Sequence, residues 1–396
     1  MIRSSNRRSL ATWTTCALLA VPLLAACTDN AAAGSSTGDS GDGRALNVAA
    51  SDTACTVSAG TAPSGNLSFT VKNEGAQVTE FYLLASDGLR IVGEVENIGP
   101  GLARDLVVTA APGDYFTACK PGMVGDGIRA PFVVAESGAD LTPKGDDKAL
   151  VDQADKLYAA YVKDQTEQLL AKTEQFRTLY LAGKDDEART LYPVAREHWE
   201  RIEPVAESFG DLDPKMDLRE ADLESGMEWT GWHRIEKDLW PERAENYTPL
   251  DQAGRQKYAN DLLANTKDLY KRTRTISFTA DQIANGAKAL LDEVATGKVT
   301  GEEEYWSRTD LWDFQANVDG ARVAFDGLRP VLKKKDPALD EQIDNRFLAL
   351  QKLLDEQKKG DGFAYYSELG KAEVKALSDA VNALSEPLSK LTAAVL

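Results

Sequence analysis

The hydrophobic period of this chain changes once, near residue 146, and a chain that does so cannot fold as one uniform architecture. Before the change, apolar residues alternate in short runs: Leu67-Ser68-Phe69-Thr70-Val71, Glu80-Phe81-Tyr82-Leu83-Leu84, Leu89 to Val95, Leu106-Val107-Val108, Tyr115-Phe116-Thr117 and Phe132-Val133-Val134. Turn formers separate them at Pro63-Ser64-Gly65, Asn73-Glu74-Gly75, Asp87-Gly88, Gly99-Pro100-Gly101 and Pro112-Gly113-Asp114. A period of two, interrupted at short intervals, predicts a small all-β sandwich over residues 45–137. After the change, Leu150, Ala154, Leu157, Tyr158, Tyr161, Val162, Gln165, Leu169 and Leu170 keep the 3–4 spacing of an amphipathic helix. Similar patterns recur through Ala188–Phe209, Arg255–Ala280, Thr279–Ala295, Trp312–Leu328, Pro337–Lys358 and Ala364–Leu396. They predict a larger all-α helical-bundle domain over 148–396, with 138–147 as linker.

Upstream of both domains the chain reads as an address. Arg3, Arg7 and Arg8 precede the apolar run Ala17–Ala26, which is too short for a permanent membrane span. Leu24-Ala25-Ala26-Cys27 resembles a bacterial lipobox, so residues 1–26 are expected to be a cleaved signal and Cys27 the lipidated residue. The Gly/Ser/Asp-rich stretch that follows makes 27–44 a flexible tether. The expected location is extracytoplasmic, held at the cell membrane by lipid. The full chain carries a formal charge of −18, and loss of three arginines with the signal takes it to −21. Such a charge argues against nucleic acid as a partner and concentrates cations near the surface.

The chain has two histidines, and one lies in Gly231-Trp232-His233-Arg234-Ile235-Glu236. At helical spacing His233 and Glu236 are neighbours on one face, a nitrogen beside a carboxylate, which suits Fe, Zn, Mn or Cu better than Mg or Ca. Upstream, Glu200 and Glu203 form a second i,i+3 pair, followed by an acidic loop that includes Asp217. Two such glutamates repel unless a cation sits between them. Carboxylates and a histidine on facing helices are a common way to build a metal site in a bundle. His198, offset from Glu200, is expected on another face. Asp310 and Asp313 read first as helix-start residues and second as supports of the site. In the β-domain, Cys55 and Cys119 form either a disulfide or, with Glu80, a second metal site. That domain has no histidine, so a His₂Cys blue-copper centre cannot be built there. No HExxH occurs and no GxSxG elbow appears (the one match to that spacing, Gly34–Gly38, lies in the Gly/Ser-rich tether), which disfavours a zinc protease or a serine hydrolase.

Longer matches carry a family resemblance. Gly93–Gly101 (GEVENIGPG), Tyr115–Ile128, His198–Asp217, Thr230–Trp240 and Leu290–Ala321 resemble EfeO-type iron-uptake proteins, in which a cupredoxin-like domain precedes an imelysin-like (peptidase M75) domain. The resemblance covers essentially everything after the tether. It implies a non-enzymatic protein that captures Fe²⁺ or Fe³⁺, with copper or zinc as alternative ions. It implies delivery to an iron permease and cooperation with a haem-dependent peroxidase. The residues it points to are Glu200, Glu203, Asp217 and Glu293, with His233 and Glu236 beside them, and the pair Cys55 and Cys119. Thr117 and Tyr82 stand where some members have Met and an acid, which favours the disulfide for that pair. The alternative reading is an M75-type metallopeptidase.

Overall fold

The computed structural model describes residues 42–138 and 145–396. The predicted signal 1–26, Cys27 and nearly all of the tether lie outside the described residues, as do positions 139–144 of the linker.

The first domain contains β1 (Ala45–Ala50), β2 (Cys55–Val57), β3 (Thr61–Pro63), β4 (Gly65–Asn73), β5 (Thr79–Leu84), β6 (Ile91–Ile98), β7 (Ala103–Ala110), β8 (Gly113–Cys119) and β9 (Ile128–Ala135). One sheet runs β2-β1-β4-β7 and the other β3-β9-β8-β5-β6. The pairs β1–β4 and β3–β9 are parallel and the others antiparallel. The alternation seen in the sequence is physical. Leu67, Phe69 and Val71 of β4 face inward with Phe81, Leu83, Val108, Phe132 and Val134, closing one core between the sheets. This is the expected cupredoxin-like sandwich. Cys55 and Cys119 are joined in a disulfide that staples β2 of one sheet to β8 of the other. Of the two readings of the cysteine pair, the structure holds the disulfide.

The second domain contains α1 (Gly145–Leu181), α2 (Asp185–Glu200), α3 (Glu203–Glu207), α4 (Asp213–Met216), α5 (Gly231–Leu239), α6 (Gln252–Thr273), α7 (Ala280–Thr296), α8 (Asp310–Lys335), α9 (Pro337–Asp355), α10 (Lys371–Leu388) and α11 (Leu391–Val395). They share one continuous apolar core. Helix α1 begins at Gly145, inside the predicted linker. The predicted helix Ala188–Phe209 is instead broken after Glu200. Pro204 has no N–H to offer the carbonyl of Glu200 four residues back. The side-chain amide of Asn317 on α8 donates to that carbonyl instead, at 2.9 Å. The predicted Arg255–Ala280 helix stops at Thr273, and Thr279 with Gln282 opens α7 through a capping box. None of the described helices is long and apolar enough to cross a membrane.

The sandwich docks on the bundle through backbone groups. The Thr109 N–H donates to Asp281 at 2.8 Å, and the Asn285 amide donates to the Val107 carbonyl at 3.0 Å. Gly125 N–H donates to Glu224 at 2.5 Å. These contacts bring β7 against α7, the helix that leads into the site described next.

Candidate metal centre

Six segments converge inside the helical domain. The C-terminal end of α2 brings Arg196 and Glu200, and α3 opens with Glu203. The residue closing α4 is Asp217, and α5 carries His233 and Glu236. The loop between α7 and α8 supplies Lys298, Glu303 and Glu304, while α8 adds Asp313 and Asn317. All of these residues are buried. Gly231 fixes the start of α5. Its φ of +86° favours glycine, and a Cβ there would lie 2.2 Å from the carbonyl oxygen of Met216. The close approach seats His233 beside Asp217.

His233 is held from both ring nitrogens. Its Nδ1 lies 3.2 Å from Glu236 and 3.8 Å from Glu304, and its Nε2 lies 3.2 Å from Glu303 and 3.4 Å from Asp217. Glu236 also accepts from the backbone N–H groups of Trp306 and Ser307, at 2.8 and 2.6 Å. Ser307 donates its hydroxyl to Glu304 at 2.6 Å, and the Trp199 indole donates to Asp217 at 2.7 Å. Arg196 lies against Glu200 and Asp217 and reaches Glu304 at 2.7 Å and Asp313 at 3.4 Å. Lys298 reaches Glu200 at 2.7 Å and Glu203 at 3.0 Å.

Three sets of ligand atoms lie close enough together to hold one ion: Asp217, His233 and Glu303; His233, Glu236 and Glu304; and Glu200, Glu203 and Asp217. His233 links the first two sets and Asp217 the first and third. Among the described residues, seven buried carboxylates (Glu200, Glu203, Asp217, Glu236, Glu303, Glu304, Asp313) face two permanent buried cations, Arg196 and Lys298. Unpaired buried charge is costly, so protons or a polyvalent cation must make up the balance.

The protonation pattern follows from that imbalance. Burial and the neighbouring Glu200 push the Glu203 carboxyl well up, and burial and Glu236 do the same to Glu304. Burial also raises Asp217 and Glu303, yet both end below the ordinary range: Arg196 and His233 pull Asp217 down, Lys298 and His233 pull Glu303 down. For His233, burial and Arg196 act downward. The hydrogen bonds to Glu236 and Glu303 and the charge of Asp217 overcome them and raise it to about 10. Burial pushes Asp310 up to about 7; its carboxylate accepts from the Glu304 N–H at 3.1 Å, pinning the acidic loop.

The structure therefore brings together Glu200, Glu203, Asp217, His233 and Glu236. Glu293 sits at the rim, with its side chain 31% exposed, and connects to the others through Lys298 at 3.0 Å. His198 lies apart, bonded to Gln165 at 2.8 Å. Glu303, Glu304, Arg196 and Lys298 were not singled out from the sequence; the nearby Trp306, which is buried, is the local hint that the Glu302-Glu303-Glu304 turn is packed. In the β-domain, Glu80 is buried and accepts from the Tyr82 hydroxyl. With both sulfurs in the disulfide, no thiolate accompanies it.

Residues 154–391 match the family model described as Imelysin, Peptidase M75. An "Iron uptake system component EfeO" from Yersinia pestis is 35% identical over 349 residues, 87% of this chain and 90% of that protein. The protein of the same name from Escherichia coli O6:H1 is 35% identical over the same extent. An "Efem/EfeO family lipoprotein" from Staphylococcus haemolyticus is 44% identical over 251 residues, 63% of this chain and 85% of that protein.

Proposed function

This chain belongs to the imelysin (peptidase M75) family, among its EfeO-type iron-uptake components, and from that premise we propose that it captures iron outside the cytoplasm in the buried carboxylate–histidine cluster. The observation that supports this reading is the excess of seven buried carboxylates over two fixed cations around His233. A site of one imidazole and several carboxylates, with no thiolate, suits Fe²⁺ or Fe³⁺ better than Cu(I), with zinc as a competing ion. The ion is cargo: it enters, displaces protons and leaves toward a membrane permease, with a haem-dependent peroxidase as a further partner of the same system. Lipid on Cys27 would hold the protein beside that permease, in keeping with the lipoprotein name of the Staphylococcus relative.

The ions and residues divide the work simply. Asp217 belongs both to the set with His233 and Glu303 and to the set with Glu200 and Glu203, so an ion can be held on either side of it, and Glu236, held by two backbone N–H groups, orients the imidazole. Hydrolysis has less support. A metallopeptidase needs a bound water with an open position and a nearby base, whereas here the donors are sealed from solvent and tied to Arg196 and Lys298.

Anaerobic calorimetry with Fe²⁺ on the mature chain tests the reading. His233→Ala combined with Glu303→Gln is expected to weaken binding more than about a hundredfold, beyond the roughly 10–100-fold typical of losing an outer partner alone. Unchanged affinity in a folded double variant would sink the site assignment. Iron-dependent cleavage of a peptide library by the wild type would instead favour the peptidase reading.

A further inference from the structure

The sequence led to the expectation that a cation separates Glu200 and Glu203, and in the structure that cation is the chain's own. The Lys298 ammonium has three donors and spends them on Glu200 at 2.7 Å, Glu203 at 3.0 Å and Glu293 at 3.0 Å. Its side chain is fully buried. A metal ion bound to the Glu200–Glu203–Asp217 set would draw on two of the three carboxylates that hold the ammonium. The two occupants therefore compete for Glu200 and Glu203.

Arg196 and Lys298 differ in their freedom to leave. Arg196 projects from the middle of the last turns of α2, and its planar guanidinium is braced by Glu200, Asp217, Glu304 and Asp313. Lys298 is a point charge on a flexible stem. It stands in a short turn, Lys298–Thr300, bounded by Gly297 and Gly301. Gly301 has a φ of +75°. One of its three partners, Glu293, already lies at the solvent rim. A short retreat of the ammonium therefore abandons Glu200 and Glu203 while keeping an ion pair with Glu293.

We propose that Lys298 is a tethered stand-in for the ion: it holds Glu200 and Glu203 together while the site carries no iron, and withdraws toward Glu293 as iron enters. This rests on the iron-capture reading of the same cluster. Lys298 then sets the affinity of the site by competition, and its return helps to expel the ion on delivery.

Two measurements on the mature full-length chain test it, with Fe²⁺ under anaerobic conditions as the probe. In the wild type, Lys298 is expected to resist an amine-acylating reagent without iron and to become several-fold more reactive once iron is bound, read by peptide mass spectrometry. For Lys298→Met, iron affinity is expected to rise by about tenfold or more, equivalent to about 1.4 kcal/mol, while the iron-free protein melts at a lower temperature. Lys298→Arg, whose fork stays with the carboxylates, is expected to bind iron more weakly. Equal Lys298 labelling with and without iron, or unchanged or weaker binding by a folded Lys298→Met, overturns the proposal. Should Lys298→Met fail to fold, the wild-type labelling decides. A wild type that binds no iron, by contrast, removes the capture reading itself.

Discussion

His233 lies between four carboxylates, and in the proposed capture its proton is among those an incoming cation would displace. Because its folded pKa, about 10, exceeds its ordinary 6.5, it contributes stability that is complete below pH 6.5 and lost as pH rises through 10. Glu203, Glu304 and Asp313, whose carboxyls burial pushes up, act with the same sign. The iron-free protein is therefore expected to lose stability from pH 6.5 toward 10, His233 contributing at most about 1.4 kcal/mol per pH unit. His233→Gln should flatten that slope by one proton in denaturant titrations. Iron affinity should move the other way, rising up to about tenfold per pH unit for each proton released. A pH-independent affinity between 5 and 8 would show that His233 does not ligate. At this scale the residue types of the site were legible from spacing: HxxE and ExxE mark Glu200, Glu203, His233 and Glu236. Their partners were not. Arg196 and Lys298 have no local signature that separates a buried counter-charge from a solvated one.

Helix breaks and staples decide how those residues converge. An unbroken helix would have carried Glu200 and Glu203 on one face; Pro204 ends it, and Asn317 takes over the orphaned carbonyl while also donating to both carboxylates at 3.2 Å. Asn317→Ala is expected to cost about 1–3 kcal/mol by leaving buried acceptors unpaired, and to weaken iron binding with it. Stability loss with iron affinity intact would separate the kink from the site. In the sandwich, the disulfide closes a separation of 64 residues. Replacing both cysteines with serine should cost that domain about 4 kcal/mol in a chain-entropy account, and leave the iron stoichiometry unchanged. A lost equivalent of metal would revive the second-site reading for Cys55, Cys119 and Glu80. Strands β4 to β9 were readable as apolar runs between turn formers, whereas β1, six residues long but half alanine, was not picked out. Strands β2 and β3, at three residues each, are too short to show a period and exist through their neighbours.

Across the whole molecule, the sandwich and the bundle are joined where Asp281 and Asn285 of α7 meet the backbone of β7. The double substitution Asp281→Ala, Asn285→Ala is expected to split calorimetric unfolding into separate transitions for the two domains; a single transition at the wild-type temperature would show that other contacts dominate. The sequence by itself determined the two-domain plan, the acidic character and the residue types of the candidate site, because period, charge and i,i+3 spacing are local properties of the chain. The tertiary structure decided which charges are buried together. Glu303 and Glu304 enter from a loop about 70 residues beyond His233, and Lys298 about 95 residues beyond Glu203. Such juxtapositions arise from packing between distant segments and leave no periodic trace. The HxxE pair alone suggests a ligand couple, whereas the fold sets it in a sealed cluster with its own counter-charges.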